Sequence, residues 1–185
     1  NCKFVSQYMN DWDGYKDNNV MVLSLLRLAD VYLMYAEATA EGYGSPQSTA
    51  NDYSMTAVEA INKIRDRAGV GHVASEFLGD VDSFMSEVRR ERAVELAFEG
   101  HRFVDLRRWM LLIESPYTLK KAVYFDRASD NGTSAELAAN PQNEHVLNLR
   151  EDVLVTRMFT TRNYWLPLIK KDVSMYKSFY QNPGW

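Results

Sequence analysis

Residues 20–113 repeat one pattern: apolar side chains at helical spacing, then a glycine or proline that stops the run. Positions three and four apart share a helix face, so such a chain must bury a series of amphipathic helices against one another. The first run extends from Val20 to Gly42. Leu25, Leu28, Ala29, Tyr32, Leu33, Ala36 and Ala40 share one wide face, and Arg27, Asp30, Glu37 and Glu41 fall on the opposite stripe. Arg27 and Asp30, three apart, read as a partly buried ion pair. Small Ala36, Ala38 and Ala40 let a second helix approach closely, and Gly42, Gly44 and Pro46 end the run.

A second helix is predicted from Asp52 to Ala68. Ala57, Ile61, Ile64 and Ala68 recur at spacings of four, three and four. Asn51, Asp52 or Ser54 can cap its start, and Gly69 stands where a left-handed cap belongs. The short connection makes the two helices antiparallel neighbours. A third helix is predicted from Asp80 to Glu99, with Met85, Val88, Leu96 and Ala97 as its seam. Gly100 interrupts it, and a fourth runs from His101 to Ile113. Pro116 closes the helical region.

The remainder changes character. Ala122–Phe125, Val146–Leu149, Val153–Phe159 and Tyr164–Leu168 are short β-prone runs, and Arg127–Asn143 reads as a long surface loop. The expected organisation is one domain: an irregular lead-in over residues 1–19, helical hairpins over 20–115, and a tail of loops and short strands over 116–185. The fold class is mainly α.

Composition excludes several functions. The formal net charge is −4, without the basic footprint that nucleic acid requires. One cysteine, Cys2, rules out a disulfide framework, and three scattered histidines make no metal centre. No stretch is long and uncharged enough to span a bilayer, since Val20–Ala36 contains Arg27 and Asp30. The chain carries no nucleophile elbow and no phosphate loop, and no cofactor is expected.

Two constellations stand out. Between Glu87 and Arg108 lie six arginines and five carboxylates. Glu91, Glu95 and Glu99 recur every four residues, and Arg92 can reach Glu95 or Glu99. A carboxylate pair here could serve glycosidic hydrolysis. However, arginine neighbours depress carboxylate pKa values, the wrong direction for a general acid. Arg27, Asp30, Arg92, Glu95, Glu99, Arg102 and Asp105 are therefore read as structural ion pairs. Asp11-Trp12-Asp13-Gly14-Tyr15 is the second constellation. Sugars present C–H faces that stack on aromatic rings, and their hydroxyls need Asp, Asn or Arg alongside. Trp12, Tyr15, Asp11 and Asp13 are thus the candidate ligand-binding residues. Trp109 and Trp165 are read as packed.

Four blocks in order, Arg27–Ala38, Ala60–Gly69, Arg89–Trp109 and Tyr180–Trp185, closely resemble the C-terminal half of the SusD/RagB family. Leu166-Pro167-Leu168-Ile169 lacks the second proline usual there, and Asp172 replaces a usual Glu. The resemblance implies tetratricopeptide-like helix pairs. It also implies a surface lipoprotein of the Bacteroidetes outer membrane that binds a glycan or other nutrient without cleaving it. The implied partner is a SusC-type TonB-dependent transporter, and the lipid anchor would lie outside this segment of a longer protein. A helical protein-interaction scaffold is the alternative; a glycoside hydrolase using Glu95 and Glu99 ranks last.

Overall fold

The computed structural model describes residues 24–127 and 146–185. The expected lead-in over residues 1–19 and nearly all of the expected 127–143 loop lie outside the described residues. Among the described residues the architecture is mainly α, built from tetratricopeptide-like helical hairpins and one two-stranded sheet. The chain forms two compact units, divided between Arg102 and Phe103.

The first unit contains α1 (Leu28–Tyr43), α2 (Ala57–Ala68) and α3 (Val81–Glu95), with a 3-10 turn at Ser75–Phe77. Ala29, Leu33, Ala36 and Ala40 of α1 meet Ala57, Ile61 and Ile64 of α2 and Phe84, Met85 and Val88 of α3 in one core. Fully burying a leucine, isoleucine or phenylalanine contributes about 1.5–3 kcal/mol each. Leu33, Ile61 and Phe84 therefore supply more of the drive than helix propensity does. The α1–α2 connection is pinned from inside: the Tyr35 hydroxyl donates to the Met55 carbonyl at 2.6 Å and accepts from the Ala50 amide at 3.1 Å. Tyr53 packs edge-on against the same ring, 5.5 Å between centroids.

Helix ends differ from the sequence expectation for identifiable reasons. α1 starts at Leu28, not Val20: Arg27 is extended (φ −141°), and residues 24–27 are not helical. Leu25 and Leu28, expected on the buried face, are exposed. α2 starts at Ala57, five residues later than expected. Its cap is Thr56, whose side chain accepts from the Glu59 amide while Glu59 accepts from the Thr56 amide. That reciprocal box satisfies two amide donors at once and outcompetes single caps at Asn51, Asp52 or Ser54. α2 ends as expected on left-handed Gly69. α3 ends at Glu95 rather than Glu99, because Phe98 and Gly100 adopt positive φ in the turn that follows.

The second unit opens inside α4 (His101–Arg108). This helix stops five residues short of Ile113, where Met110 takes a φ of 58°. Leu106, Leu112 and Tyr164 form a small core, ringed by Leu111, Ile113, Tyr117 and Phe159. Strand β1 (Leu119–Arg127) pairs antiparallel with β2 (Val146–Thr156). The two expected runs Val146–Leu149 and Val153–Phe159 are thus one strand through Thr156. Tyr164–Leu168 is not a strand: a 3-10 turn at Thr161–Tyr164 leads into extended chain, followed by short α5 (Lys170–Val173).

The last residues fasten this extended segment. Gln181 accepts from the Leu168 amide at 2.7 Å and donates to its carbonyl at 2.9 Å, so an amide side chain does the work of a pairing strand. Asn182 donates to the Leu166 carbonyl at 2.6 Å, and the Trp185 indole donates to the carbonyls of Arg162 and Trp165, each at 3.0 Å. Trp165 itself, expected to be packed, is exposed.

Candidate functional site

Two constellations in the described residues carry enough convergent chemistry to consider. The first is the arginine–carboxylate lattice of the helical unit. Glu87, Glu91 and Glu95 stand one turn apart on α3, and Arg65 and Arg67 reach them from α2. Arg65 Nη1 lies 3.2 Å from Glu87 and 3.3 Å from Glu91, and Arg67 Nη2 lies 2.6 Å from Glu95. Arg27 enters from the start of α1. Its Nε donates to Glu99 Oε2 at 2.8 Å and its Nη2 to Glu99 Oε1 at 2.7 Å, while its other donors meet the Glu95 carboxylate and carbonyl. A cation is well placed there, at the carbonyl end of α3.

Arg27 and Asp30 are not each other's partner. Asp30 pairs instead with Arg92 at 2.8 Å, with side chains only 7% and 4% exposed. α1 turns Asp30 inward toward α3, although its position in sequence placed it on the polar stripe. Arg102 is exposed and donates to the Arg89 carbonyl at 3.4 Å, and buried Asp105 accepts from Arg108 at 2.9 Å.

The lattice is poorly suited to proton transfer. Burial alone would raise the Glu95 pKa, but hydrogen bonds and charge from Arg27 and Arg67 outweigh it and hold the carboxyl below its ordinary value. Hydrogen bonds to Glu99 first, then to Glu95, hold Arg27 charged against its own partial burial. Glu91 moves the other way, pushed up by burial that Arg65 and Arg90 only partly offset. Glu95 and Glu99 both hydrogen-bond the guanidinium of Arg27, whereas hydrolysis needs a protonated carboxyl to meet the glycosidic oxygen.

The second constellation is toward the Arg127–Val146 end of the β-hairpin. Tyr124 opposes Arg150, yet Asp126 opposes Leu147, so β2 carries one extra residue between these pairs. The bulge holds Asn148 at a φ of 53°, a conformation asparagine tolerates better than most residues. Turned by the bulge, Asn148 Nδ2 donates to Asp126 Oδ2 at 2.8 Å. The Arg150 guanidinium lies over the Tyr124 ring, 5.0 Å from its centroid. Together with Val123 and Phe125 these residues line an open concavity of about 320 Å³, at the small end of ligand-pocket size. An aromatic ring, a carboxylate, an amide and a guanidinium thus converge on one hollow.

Trp12, Tyr15, Asp11 and Asp13 lie outside the described residues. The hairpin set has the same chemistry sought there, but its members are divided between strands. Tyr124 with Asp126 and Asn148 with Arg150 each show the alternate spacing of one strand face. No short motif announces the pairing, because the bulge that fixes its register is a property of the folded sheet. Among the described residues no group of three or more His, Cys, Asp or Glu side chains could hold a metal ion, and no helix is long and apolar enough to cross a membrane.

Comparison with known proteins agrees with this architecture. The family model described as the SusD family matches residues 1–185. A SusD-like protein P25 of Formosa agariphila is 40% identical over 102 residues, covering 55% of this chain and 17% of that protein. The crystal structure of a SusD-like protein from Bacteroides fragilis superposes with a TM-score of 0.61 at 25% identity, over 88% of this chain and 26% of that one. The chain therefore spans about a quarter or less of the length of these relatives.

Proposed function

The chain belongs to the SusD family, and from that premise we propose that it is part of a protein that captures a glycan or other nutrient at the bacterial outer-membrane surface. Capture involves no bond cleavage. The bound nutrient passes to a SusC-type TonB-dependent transporter, and a lipid anchor outside this segment holds the protein at the membrane. The single observation that carries this reading is the family match along all 185 residues. The lattice supports the non-catalytic part, since Glu95 and Glu99 are both committed to Arg27.

A second reading, a scaffold that mainly binds protein, is favoured by one feature of α1. Leu28, Val31 and Met34, at spacings of three, are exposed along one face of the helix. Such a stripe is the usual mark of a surface awaiting a partner.

The experiment is electrophoresis of the full-length protein through native gels containing single polysaccharides, with reducing ends assayed in parallel. Retardation without new reducing ends is the expected result. New reducing ends would overturn the non-catalytic reading. Absence of retardation, with co-purification of the transporter intact, would favour the scaffold.

A further inference from the structure

We propose that the bulged end of the β-hairpin is a saccharide subsite that seats one neutral sugar ring by a pair of adjacent hydroxyls. This rests on the capture reading above and adds to it a place and a ligand chemistry. Adjacent hydroxyls need a donor and an acceptor held side by side. Asp126 and Asn148 supply them already joined, at 2.8 Å. After that bond, Asp126 Oδ1 is left to accept, and the Asn148 amide keeps one N–H to donate and its oxygen to accept. Binding therefore does not have to order the pair first.

Arg150 and Tyr124 complete the hollow. The guanidinium has further N–H donors, and Tyr124, a residue 43% exposed with Arg150 over its ring, offers apolar ring carbons to sugar C–H groups. Charge selects the ligand class. Asp126 shares the concavity with Arg150, which also has Asp152 4.0 Å away, so an anionic sugar would meet carboxylates as well as a guanidinium. A neutral ring meets no such penalty. In the bulge Asn148 stands beside Asp126 rather than opposite it, since the Cα partner of Asp126 is Leu147.

The test uses full-length protein and native gels containing laminarin, xylan or galactomannan, beside alginate as an acidic control. Asn148→Gly keeps a residue comfortable at positive φ while deleting the amide, Asp126→Asn deletes the charge, and Tyr124→Ala deletes the ring. Each is expected to weaken binding to the retarding neutral polysaccharide by about tenfold or more, as loss of one or two ligand hydrogen bonds implies. Unchanged circular dichroism and melting temperature of Asn148→Gly would separate lost binding from lost folding. If the parent is retarded and all three variants are retarded equally, the subsite is wrong and capture stands. If the parent is retarded by alginate alone, the neutral-ring assignment is wrong. If no polysaccharide retards the parent, the glycan reading fails and the subsite with it.

Discussion

Arg27 and Glu99, 72 residues apart in sequence, meet in a two-pronged hydrogen bond, Nε to Oε2 at 2.8 Å and Nη2 to Oε1 at 2.7 Å. The contact ties the residue that starts α1 to the turn that ends α3. Arg27, the extended N-cap of α1, thus spans the start of one helix and the end of the other.

Arg27→Ala is expected to destabilise the protein by roughly 3 kcal/mol, because it removes the guanidinium shared by the Glu99 and Glu95 carboxylates, whose side chains are 6% and 12% exposed. Arg27→Lys keeps the charge but has no planar fork, so it should recover only part of the loss. Urea unfolding followed by circular dichroism measures both. An Arg27→Ala variant as stable as the parent would show that the lattice is ornamental.

The same lattice sets a pH dependence with two opposed parts. Glu95 has a folded-state pKa below its unfolded value. Its contribution is complete above the ordinary carboxylate range, about pH 4.3, and is lost as pH falls through the depressed value. Glu91 has a raised folded-state pKa, so its contribution is complete below the ordinary range and is lost as pH rises through the raised value. Stability should therefore rise slightly on mild acidification from neutrality and fall on stronger acidification. Glu91→Gln should remove the rise and leave the fall. Melting temperatures across a pH series give the answer, and a monotonic loss in the parent from neutrality downward would contradict the assignment.

At the other end of the chain, Gly184 has a φ of 85°, and a Cβ added there would sit 2.7 Å from the Cβ of Arg162. Gly184→Ala combines backbone strain with a clash and is expected to cost about 1–3 kcal/mol. Gln181→Ala, which removes both bonds to Leu168, should cost about 1–2 kcal/mol. The loss should be local. Amide exchange should quicken at Leu168, whose N–H loses its acceptor, and stay unchanged in α1–α3.

Thr56→Ala opens the reciprocal cap of α2 and should lower stability by about 1 kcal/mol. Ser54→Ala should change it by less than half as much, because Thr56 is the capping residue. Equal effects of the two would point to a frayed start for α2.

Local signals were the legible ones. Ala57, Ile61 and Ile64 recur on one face of α2 and are buried together, and Gly69 ends the helix as its position implied. The partners of Arg27 and Asp30 were not legible, although the residues were. A spacing of three suggested that they pair with each other, but tertiary packing offered each a partner 62 to 72 residues away. Asp30 also shows the limit of a helix-wheel stripe: a carboxylate can occupy the buried side when an arginine comes to meet it. The hairpin set was hidden for another reason. Asn148 reaches Asp126 across 22 residues because the two strands pair, and neither strand alone encodes the register.

The C-terminal tail has a consequence for how this region can change. The hydrogen bonds from Gln181, Asn182 and Trp185 to the extended segment reach only main-chain atoms, the amide and carbonyl of Leu168 and the carbonyls of Arg162, Trp165 and Leu166, while the Arg162 guanidinium lies over the Trp185 ring. One side of the contact is spelled in side chains and the other in the path of the backbone. The tail is thus a key with fixed teeth fitted to a lock that is lettered at Arg162. Leu166 and Leu168 are free to vary so far as this fastening is concerned, while Gln181, Asn182, Gly184 and Trp185 are not.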